Sequence, residues 1–228
     1  MLVRVATYNV RSFRAGVRAA VEALGPHPDL VLVQECGPRL AVRRFAQALG
    51  MSFVSSHRPF RRVRNAVLYR DPPWRLASFD APEFRRETRT LRRGFAAAGL
   101  RAGASRVVAV SAHLGLAPRE REAHARELTD ALVASDALVI LGADLNEGPE
   151  GPAARWISER LYDAFAVRGR GSGLTFPAST PTARIDFVFV GEGIEIGGAA
   201  VPSDPAAGHA SDHLPVVVEL ELGIEESR

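Results

Sequence analysis

The stretch SDHLPVVVEL, residues 211–220, joins three polar residues to an apolar, β-branched run. The run predicts a buried strand over residues 214–221. Ser211, Asp212 and His213 stand directly before this strand, where burying a polar group costs free energy unless the group has a partner. The stretch therefore predicts a core strand that carries polar side chains to a place where other groups bind them.

Polar side chains recur at the ends of the other predicted strands. They are Asn9 in ATYNV, Glu35 in DLVLVQE, His113 in RVVAVSAHL, Asp144 and Asn146 in ALVILGADLNEGP, and Asp186 in RIDFVFV. One polar residue at a strand end is ordinary, but strand ends converge in packed sheets. Together with Asp212 and His213, these residues form the inventory of an oxygen-ligated metal and a general base.

Predicted strands and helices alternate along the whole chain, without repeats or a low-complexity linker. The predicted strands cover residues 2–9, 29–35, 52–56, 65–70, 74–79, 88–97, 105–113, 137–143, 185–190, 194–200 and 214–221. The predicted helices cover residues 14–24, 38–49 and 118–134, and the predicted loops cover 147–153 and 168–182. So many strands favour two packed sheets with helices outside over one open sheet. No boundary divides the chain, which predicts a single domain over residues 1–228.

The charge is distributed unevenly along the chain. All 29 basic residues are arginines, and the net charge is only +3. Residues 1–114 carry a net charge of +13, whereas residues 115–228 carry −10. This asymmetry suits a metal site that meets a phosphate, although solvated faces produce the same pattern.

The single cysteine and the N-terminal sequence bear on the compartment. Cys36 cannot form an internal disulfide, which suits a reducing environment. It follows an apolar run, which favours inert packing over a reactive thiol. No apolar run reaches membrane-spanning length, and LVRVATYNV lacks the pattern of a signal peptide. We therefore expect a cytoplasmic protein.

The ordered motifs TYN, QE, SAHL, GADLN, RIDFVFV and SDHLP resemble those of the endonuclease/exonuclease/phosphatase superfamily, which includes DNase I. The resemblance spans residues 9–215. It implies an α/β (α+β) protein of the DNase I-like class, a four-layer α/β/β/α sandwich of two mixed β-sheets. It also implies hydrolysis of phosphate esters with Mg²⁺ or Mn²⁺.

The resemblance further implies which residues bind the metal. Glu35 matches a carboxylate that ligates the ion directly, Asn9 lies in the same polar cluster, and Asp212 lies next to the metal. Mg²⁺ binds through one or two carboxylates and substrate phosphate, and it keeps several waters. We therefore expect Glu35, Asn9 and Asp212 at a metal site.

The remaining matched residues are implied to act on water and phosphate. Asp144 and Asn146 match an Asp-x-Asn motif whose Asp aligns or deprotonates water while its Asn holds a phosphate oxygen. His113 is implied to donate to a phosphate oxygen, and Asp186 to hold and polarise His213. Phosphoryl transfer builds charge on the equatorial oxygens, so it needs a cation, donors and a base.

Weaker matches concern residues near the substrate. Asn65 in RNAVLY stands where many members carry an Asn near the substrate, and Arg184 precedes the Ile-Asp motif. The resemblance therefore implies substrate contacts by Asn65 and Arg184, with support from Thr175. Ordinary structural interpretations are favoured for Ser211 in a turn, His209 in a loop, His124 in a helix and His27 in a solvated loop.

The substrate class is less constrained than the chemistry. The basic stretches RPFRRVR (58–64) and RRETRTLRR (85–93), with Phe60 and Phe84 nearby, could line a phosphate backbone or form a solvated face. The chain lacks a Tyr matching the substrate pocket of abasic-site endonucleases, and it lacks DNA-wedging loops. We favour nucleic acid over a compact phosphorylated substrate, and the sequence carries no prediction of the oligomeric state.

Two alternatives to a phosphodiesterase stay open. One is a phosphomonoesterase that acts on a small phosphorylated metabolite. The other is a catalytically silent module of the same fold that binds nucleic acid or phosphoinositides. The intact His213, Asp144 and Glu35 argue against the silent module, because a decayed site should lose at least one of them.

Overall fold

Two β-sheets pack face to face, and helices cover the outer face of each. The computed structural model describes residues 1–25, 28–56, 63–85, 91–133, 136–202 and 205–223. The strands are β1 (Leu2–Asn9), β2 (Leu30–Gly37), β3 (Ser52–Ser55), β4 (Val63–Tyr69), β5 (Arg75–Asp80), β6 (Gly94–Ala102), β7 (Ser105–His113), β8 (Leu138–Asp144), β9 (Tyr162–Asp163), β10 (Gly169–Arg170), β11 (Asp186–Val190), β12 (Ile194–Ala200) and β13 (Val216–Leu222). The helices are α1 (Val17–Ala23), α2 (Arg39–Leu49), α3 (Pro118–Val133), α4 (Pro152–Ser158), α5 (Ala164–Arg168) and α6 (Pro205–Ala210).

Both sheets mix parallel and antiparallel neighbours. The first sheet has seven strands in the order β10-β12-β13-β1-β2-β4-β3, and the second has six in the order β5-β6-β7-β8-β11-β9. In the first sheet β1 runs parallel to β2 and antiparallel to β13. In the second, β7 runs parallel to β8 and antiparallel to β6. The predicted four-layer sandwich of two mixed sheets is therefore confirmed.

Alternation along the central strands builds the core between the sheets. Val5 of β1 and Leu32 of β2 pack in one buried cluster with Ile140 of β8 and Val188 of β11, which belong to the other sheet. Successive side chains of a strand point to opposite faces. The neighbours of these residues therefore face the helices.

Two further apolar clusters lie between a sheet and its helices. Val33 of β2 packs with Phe45 of α2, whose apolar residues recur at helical spacing. On the other side, Leu141 of β8 packs with Leu128 of α3 and Ile157 of α4. No helix in the described ranges is long and apolar enough to cross a membrane.

A buried polar side chain joins the two sheets below their shared edge. Nε2 of Gln34 in β2 lies 3.0 Å from Oγ1 of Thr7, 3.0 Å from Oγ of Ser111 and 3.3 Å from the carbonyl oxygen of Gly142. These partners belong to β1, β7 and β8, and each lies two residues before the last residue of its strand. A buried amide needs its partners, so these contacts fix how the strand ends face one another.

The sequence predicted most long elements to within two or three residues, but it misplaced one strand. The strand predicted over residues 88–97 is wrong, because β6 begins at Gly94 and ends at Ala102. The two-residue turn Gly103–Ala104 pairs Ala102 with Ser105 and Gly94 with His113. Gly103 has a φ of 59°, which suits such a tight hairpin. The turn therefore sets the position of β6.

Besides the single 3₁₀ turn Arg11–Phe13, five short elements of the described chain were not predicted, and three of them overlap the predicted loops. The loop prediction for 147–153 is wrong at its end, because α4 begins at Pro152. The prediction for 168–182 is wrong at its start, where α5 ends and β10 follows. The missed elements are α4, β9, α5, β10 and α6, which span two to seven residues each. Such lengths are too short to display a hydrophobic period.

Some predictions fall outside the described residues. These are His27, Phe60, residues 58–62 and 86–90 of the two basic stretches, and the first residues of the strand predicted over 88–97.

Gly142 lets the two sheets approach closely, which generates a test of the fold. A Cβ at this position would lie 2.7 Å from Oγ1 of Thr7 and 2.8 Å from Cβ of Leu32. We expect Gly142→Ala to lower the free energy of unfolding by about 1–3 kcal/mol, as overpacking does. Urea denaturation measures the change.

Gly198→Ala in β12 is the matched control, because a Cβ there meets nothing within 4 Å. It should change stability by less than about 0.5 kcal/mol. Equal stability of the two variants would contradict the proposed closeness of the sheets at Gly142.

Candidate active site

The predicted strand-end residues meet at one edge of the sandwich. Asn9 ends β1, His113 ends β7 and Asp144 ends β8, while Asp186 begins the antiparallel neighbour β11. In the second sheet His113 pairs with Asp144 and Asp144 pairs with Asp186. The sheet register alone therefore places three of the predicted residues side by side.

His213 stands between two buried carboxylates. Its Nδ1 lies 2.8 Å from Oδ2 of Asp186. Its Nε2 lies 3.8 Å from Oδ2 of Asp144, too far for a direct hydrogen bond. The hydrogen bond to Asp186 orients the imidazole, and the opposite nitrogen faces Asp144. The tilted ring of Phe176 lies 4.9 Å away, centroid to centroid.

Asp144 is held by a dense set of hydrogen bonds. Nδ2 of Asn9 donates to its Oδ2 at 2.8 Å, and the backbone N–H of Asn146 donates to its Oδ1 at 3.0 Å. Asn146 has a φ of 54°, a left-handed conformation that Asn tolerates better than most residues. Nδ2 of Asn146 donates to the carbonyl oxygen of Leu114 at 3.1 Å. The Asp-x-Asn motif is thus a rigid turn joined to the end of β7.

The proton on His113 can be placed from its neighbours. Nη1 of Arg93 lies 2.9 Å from Nδ1 of His113. A guanidinium can only donate, so Nδ1 accepts and the proton of the neutral ring sits on Nε2. Nε2 lies 3.2 Å from Oδ2 of Asp144. Arg93 therefore selects the tautomer of His113 that presents an N–H to the site.

The two imidazoles of the site differ in charge, because one is neutral and the other is protonated. Burial lowers the pKa of His113 to about 3, with Arg93 acting in the same direction and Asp144 opposing it. Burial also favours the neutral form of His213, but Asp186, Asp144 and Asp212 raise its pKa to about 9. At neutral pH His113 is uncharged and His213 carries a positive charge.

Glu35 faces a pocket next to His113. The pairing of β2 with β4 shifts register between Gln34 and Gly37, and Glu35 within this bulge has a φ of 49°. Strained backbone of this kind re-aims a side chain and clusters at functional sites. Nη1 of Arg93 lies 3.6 Å from Oε1 of Glu35, and the side chain is 38% exposed. Within the described part of the chain, no hydrogen bond reaches this carboxylate.

Asp212 lies at the opposite border of the site. Nε of Arg11 is 3.1 Å from its Oδ2. Ser211 donates from Oγ to the carbonyl oxygen of Asn9 at 2.7 Å, and its Oγ accepts from the backbone N–H of His213 at 3.4 Å. Ser211 therefore holds the turn before β13 against the end of β1.

The donor set fits a divalent cation. Asp144, Asp186 and His213 are buried, and their ligand atoms lie within 4.8 Å of one another, so this group could hold a metal ion. Oδ1 of Asp186 is buried and accepts no hydrogen bond from the residues that the structure describes. A buried carboxylate oxygen without a partner is costly, and a nearby cation would satisfy it. The carboxylate of Glu35, which accepts no hydrogen bond in the described ranges, is a second oxygen donor of the kind that Mg²⁺ prefers.

Arg184 does not join the predicted residues. Its two terminal nitrogens form a bidentate ion pair with Asp163, at 3.1 and 2.8 Å, and its guanidinium lies 4.5 Å from the ring centre of Phe187. Both side chains of the pair are about nine-tenths buried. A planar guanidinium matches a carboxylate through such parallel bonds. Arg184 thus ties β9 to the chain before β11, and a substrate contact by this residue stays a prediction.

The other weakly predicted residues lie close to the site. Asn65 is buried, donates to the carbonyl oxygen of Gly94 at 2.7 Å and lines the pocket that contains Glu35. Thr175 is buried, and its Oγ1 accepts from the backbone N–H of Ile185 at 3.3 Å. His209 is exposed on α6.

Two residues predicted to pack inertly are buried. His124 stacks on Phe84 at 4.4 Å, and its Nδ1 accepts from the backbone N–H of Gly115 at 3.2 Å. Cys36 is fully buried, and burial raises the pKa of its thiol. A thiol that is neither exposed nor ionised is a poor nucleophile.

Sequence reasoning missed three side chains at this edge, namely Arg11, Arg93 and Phe176. Arg93 was included only as a member of a basic stretch, and the pairing of Gly94 with His113 is what brings it to the site. That pairing depends on the turn Gly103–Ala104, which begins ten residues further along the chain, so no local signal could have identified Arg93.

The fold and this strand-end site define a class of protein. Residues 6–213 match the Endonuclease/Exonuclease/phosphatase family, and the chain belongs to that family. A search of the curated proteins returned no match. The predicted resemblance is therefore confirmed at the level of the family.

Solved structures resemble the chain over nearly its full length. An endonuclease/exonuclease/phosphatase from Bacteroides vulgatus has a TM-score of 0.85 at 17% identity, covering 98% of this chain and 100% of that one. A mannosyl-6-phosphatase from Bacteroides thetaiotaomicron has a TM-score of 0.83 at 17% identity, covering 96% and 100%. D. rerio TDP2 complexed with single strand DNA product has a TM-score of 0.78 at 16% identity, covering 96% and 99%. At these identities the likeness shows the fold.

The charge on His213 generates a pH prediction for the metal-free protein. Its pKa of about 9 in the folded chain lies above the usual 6.5, so folding binds the proton more tightly. The resulting stability is fully present below pH 6.5 and is lost as the pH rises to about 9. The imidazole of His213, followed by NMR, should titrate near pH 9, and Asp186→Asn should lower that midpoint.

The free energy of unfolding provides a second measurement. The difference between the wild type and His213→Gln should shrink as the pH rises from 6.5 to 9. A wild-type midpoint at or below 6.5 would contradict the influence of the carboxylates on His213.

Proposed function

We propose that this protein is a divalent-metal-dependent hydrolase that cleaves phosphate esters, with phosphodiesters favoured. The observation that supports this most is the position of His213, whose Nδ1 lies 2.8 Å from Asp186 while its Nε2 faces Asp144 at 3.8 Å. At this separation Nε2 of His213 and Oδ2 of Asp144 are close enough to contact the same reacting group. A carboxylate that orients an imidazole in this way recurs where the ring exchanges a proton.

Each buried polar group then has a proposed task. His213 exchanges a proton at Nε2, and Asp186 fixes its orientation. Asp144 orients the attacking water from a position that Asn9 and Asn146 hold rigid. His113, neutral and protonated at Nε2, donates to a phosphate oxygen. Asn146 contributes a second donor beside it, since its Nδ2 lies 3.1 Å from that Nε2.

We further propose that Glu35 and Asn9 hold the metal ion, with Asp212 next to it. Glu35 accepts no hydrogen bond in the described ranges, whereas Nδ1 of His213 is already engaged by Asp186. Hard cations prefer oxygen ligands, which favours Glu35 over the imidazole of His213. When bound, a divalent cation would polarise a phosphate oxygen and offset its developing negative charge. Either Mg²⁺ or Mn²⁺ would meet these requirements.

Two kinds of observation bear on the substrate of this protein: the similar solved structures and the charge of the chain. The name of the mannosyl-6-phosphatase refers to a compact phosphorylated substrate, and TDP2 was solved with a single-stranded DNA product. The arginine-rich first half of this chain favours an anionic substrate of either size. A phosphomonoesterase is therefore the second candidate, and a catalytically silent module is disfavoured because its buried charged groups would have no task.

Metal dependence is the first test of the proposed function. The protein should hydrolyse bis-p-nitrophenyl phosphate with Mg²⁺ or Mn²⁺ and lose this activity in EDTA. Glu35→Gln should raise the metal concentration for half-maximal activity by at least about tenfold, because the amide keeps the shape but loses the charge. Calorimetric titration with Mn²⁺ should show that the metal-free Glu35→Gln variant binds the ion more weakly than the metal-free wild type.

Glu22→Gln on α1 is the matched control, because its exposed carboxylate pairs with Arg18 on the same helix. It should leave the metal requirement unchanged. If Glu35→Gln behaves like this control, Glu35 is not a metal ligand.

The second test concerns His213, which exchanges the proton, and Asp144, which orients the water. His213→Ala and Asp144→Asn should each lower the rate by at least about a hundredfold, because proton transfer and water positioning contribute that much. His209→Ala and Asp130→Asn are exposed controls and should keep the wild-type rate. Rates come from chromogenic hydrolysis and folding from thermal melts.

If both site variants unfold while both controls remain folded, His213 and Asp144 have structural roles instead. Full activity in either folded variant would remove that residue from the catalytic mechanism.

A further inference from the structure

Three arginines from the two basic stretches converge on one cavity beside Glu35 and His113. Arg64 comes from the first stretch, and Arg92 and Arg93 come from the second. The cavity has a volume of about 260 Å³ and is lined by Ser12, Glu35, Gly37, Arg64, Asn65, Leu91, Arg92, Arg93, Gly94 and His113. Arg64 lies almost thirty residues before Arg92 and Arg93 in the sequence. The packing of β4 in the first sheet against the start of β6 in the second sheet, where Asn65 donates to the carbonyl oxygen of Gly94, brings them together.

A single carboxylate holds two of the guanidinium groups side by side. Nη1 of Arg64 lies 2.7 Å from Oε1 of Glu83, and Nη1 of Arg92 lies 2.9 Å from Oε2 of the same residue. Each oxygen of Glu83 thus takes one arginine. A guanidinium carries five N–H donors, so a single bond to Glu83 leaves Arg92 with donors for another partner, and the charge of Arg64 lies beside it. Their side chains are 30% and 43% exposed, so a ligand can reach them.

The charge of the cavity wall is positive. Among the lining residues that the structure describes, Arg64, Arg92 and Arg93 contribute three positive charges and Glu35 is the single acid. Glu83 supplies one more negative charge behind Arg64 and Arg92. With both acids included, the net charge of these residues is still positive, which favours the binding of an anion.

The cavity adjoins the atoms that the proposed reaction uses. The ring of His113 separates the two, because its Nδ1 faces Arg93 and its Nε2 faces Asp144 at 3.2 Å. A group in the cavity would therefore lie about one imidazole width from Asp144. That is the separation expected of two groups on the same substrate molecule.

We propose that this cavity binds a second phosphate of the substrate, next to the phosphate that is cleaved. The inference rests on the proposed function and narrows its substrate class. Arg64 and Arg92 recognise the second phosphate through charge-assisted hydrogen bonds, while Arg93 orients His113. The small volume of the cavity suits one compact anionic group better than a long track along a polymer.

The second phosphate could belong to a small polyol or to the next nucleotide of a strand. Two ligand pairs separate these sources, since the members of each pair differ by one phosphate. The first pair is fructose 1,6-bisphosphate and fructose 6-phosphate, and the second is the dinucleotide TpT with and without a 5′-phosphate. Calorimetry in EDTA measures their binding without turnover.

The wild type should bind the doubly phosphorylated member of one pair at least about tenfold more tightly than its partner, as expected for a hydrogen bond between charged groups. Arg64→Ala and Arg92→Ala should each remove most of that preference. Arg101→Ala is the matched control, because this exposed arginine lies near the opposite end of β6. It should keep the preference.

Each result has a distinct meaning. Preference within the sugar pair assigns a compact substrate, and preference within the dinucleotide pair assigns a nucleic acid strand. Absence of preference in both pairs, or an equal loss in Arg101→Ala, would overturn the proposal. Because binding in EDTA needs no catalysis, the proposal can fail while the chromogenic ester is still hydrolysed, and the reverse also holds.

Discussion

The buried amide of Gln34 is the contact on which the geometry of the site depends most. It reaches Thr7 in its own sheet and Ser111 and Gly142 in the other, directly below the strand ends. Apolar packing between sheets is non-directional and tolerates small slides, but a buried amide must meet its partners with correct geometry. Gln34 therefore fixes the relation between the sheets where Asn9, His113 and Asp144 emerge.

This fixed edge allows one small region to hold many charged groups. Carboxylates outnumber cations around His213, and they raise its pKa to about 9 although burial acts against them. At the end of β7 in the other sheet, burial together with Arg93 lowers the pKa of His113 to about 3. Two imidazoles of the same chemical type thereby differ in charge, one neutral and one positive, which separates neutral donation from proton exchange.

The arginines show that sequence neighbours can have unrelated partners. Arg92 binds Glu83, whereas Arg93 contacts His113 and lies near Glu35. Arg184 stands two residues before a predicted catalytic Asp, yet Asp163 engages it fully. The charge asymmetry of the sequence suits an anionic partner, and that partner stays a prediction. The partner of each guanidinium depends on which side chain lies within about 4 Å after folding, and composition carries no such information.

The sequence by itself determined the long strands, the two-sheet architecture and the set of polar residues at the strand ends. It could do so because alternation of apolar residues is a local signal and because strand ends meet at sheet edges. Only the tertiary structure decided the start of β6, the tautomer of His113, the bulge at Glu35 and the partner of Arg184. Each of these depends on contacts between residues far apart in the chain, and such contacts exist only once the two sheets have packed.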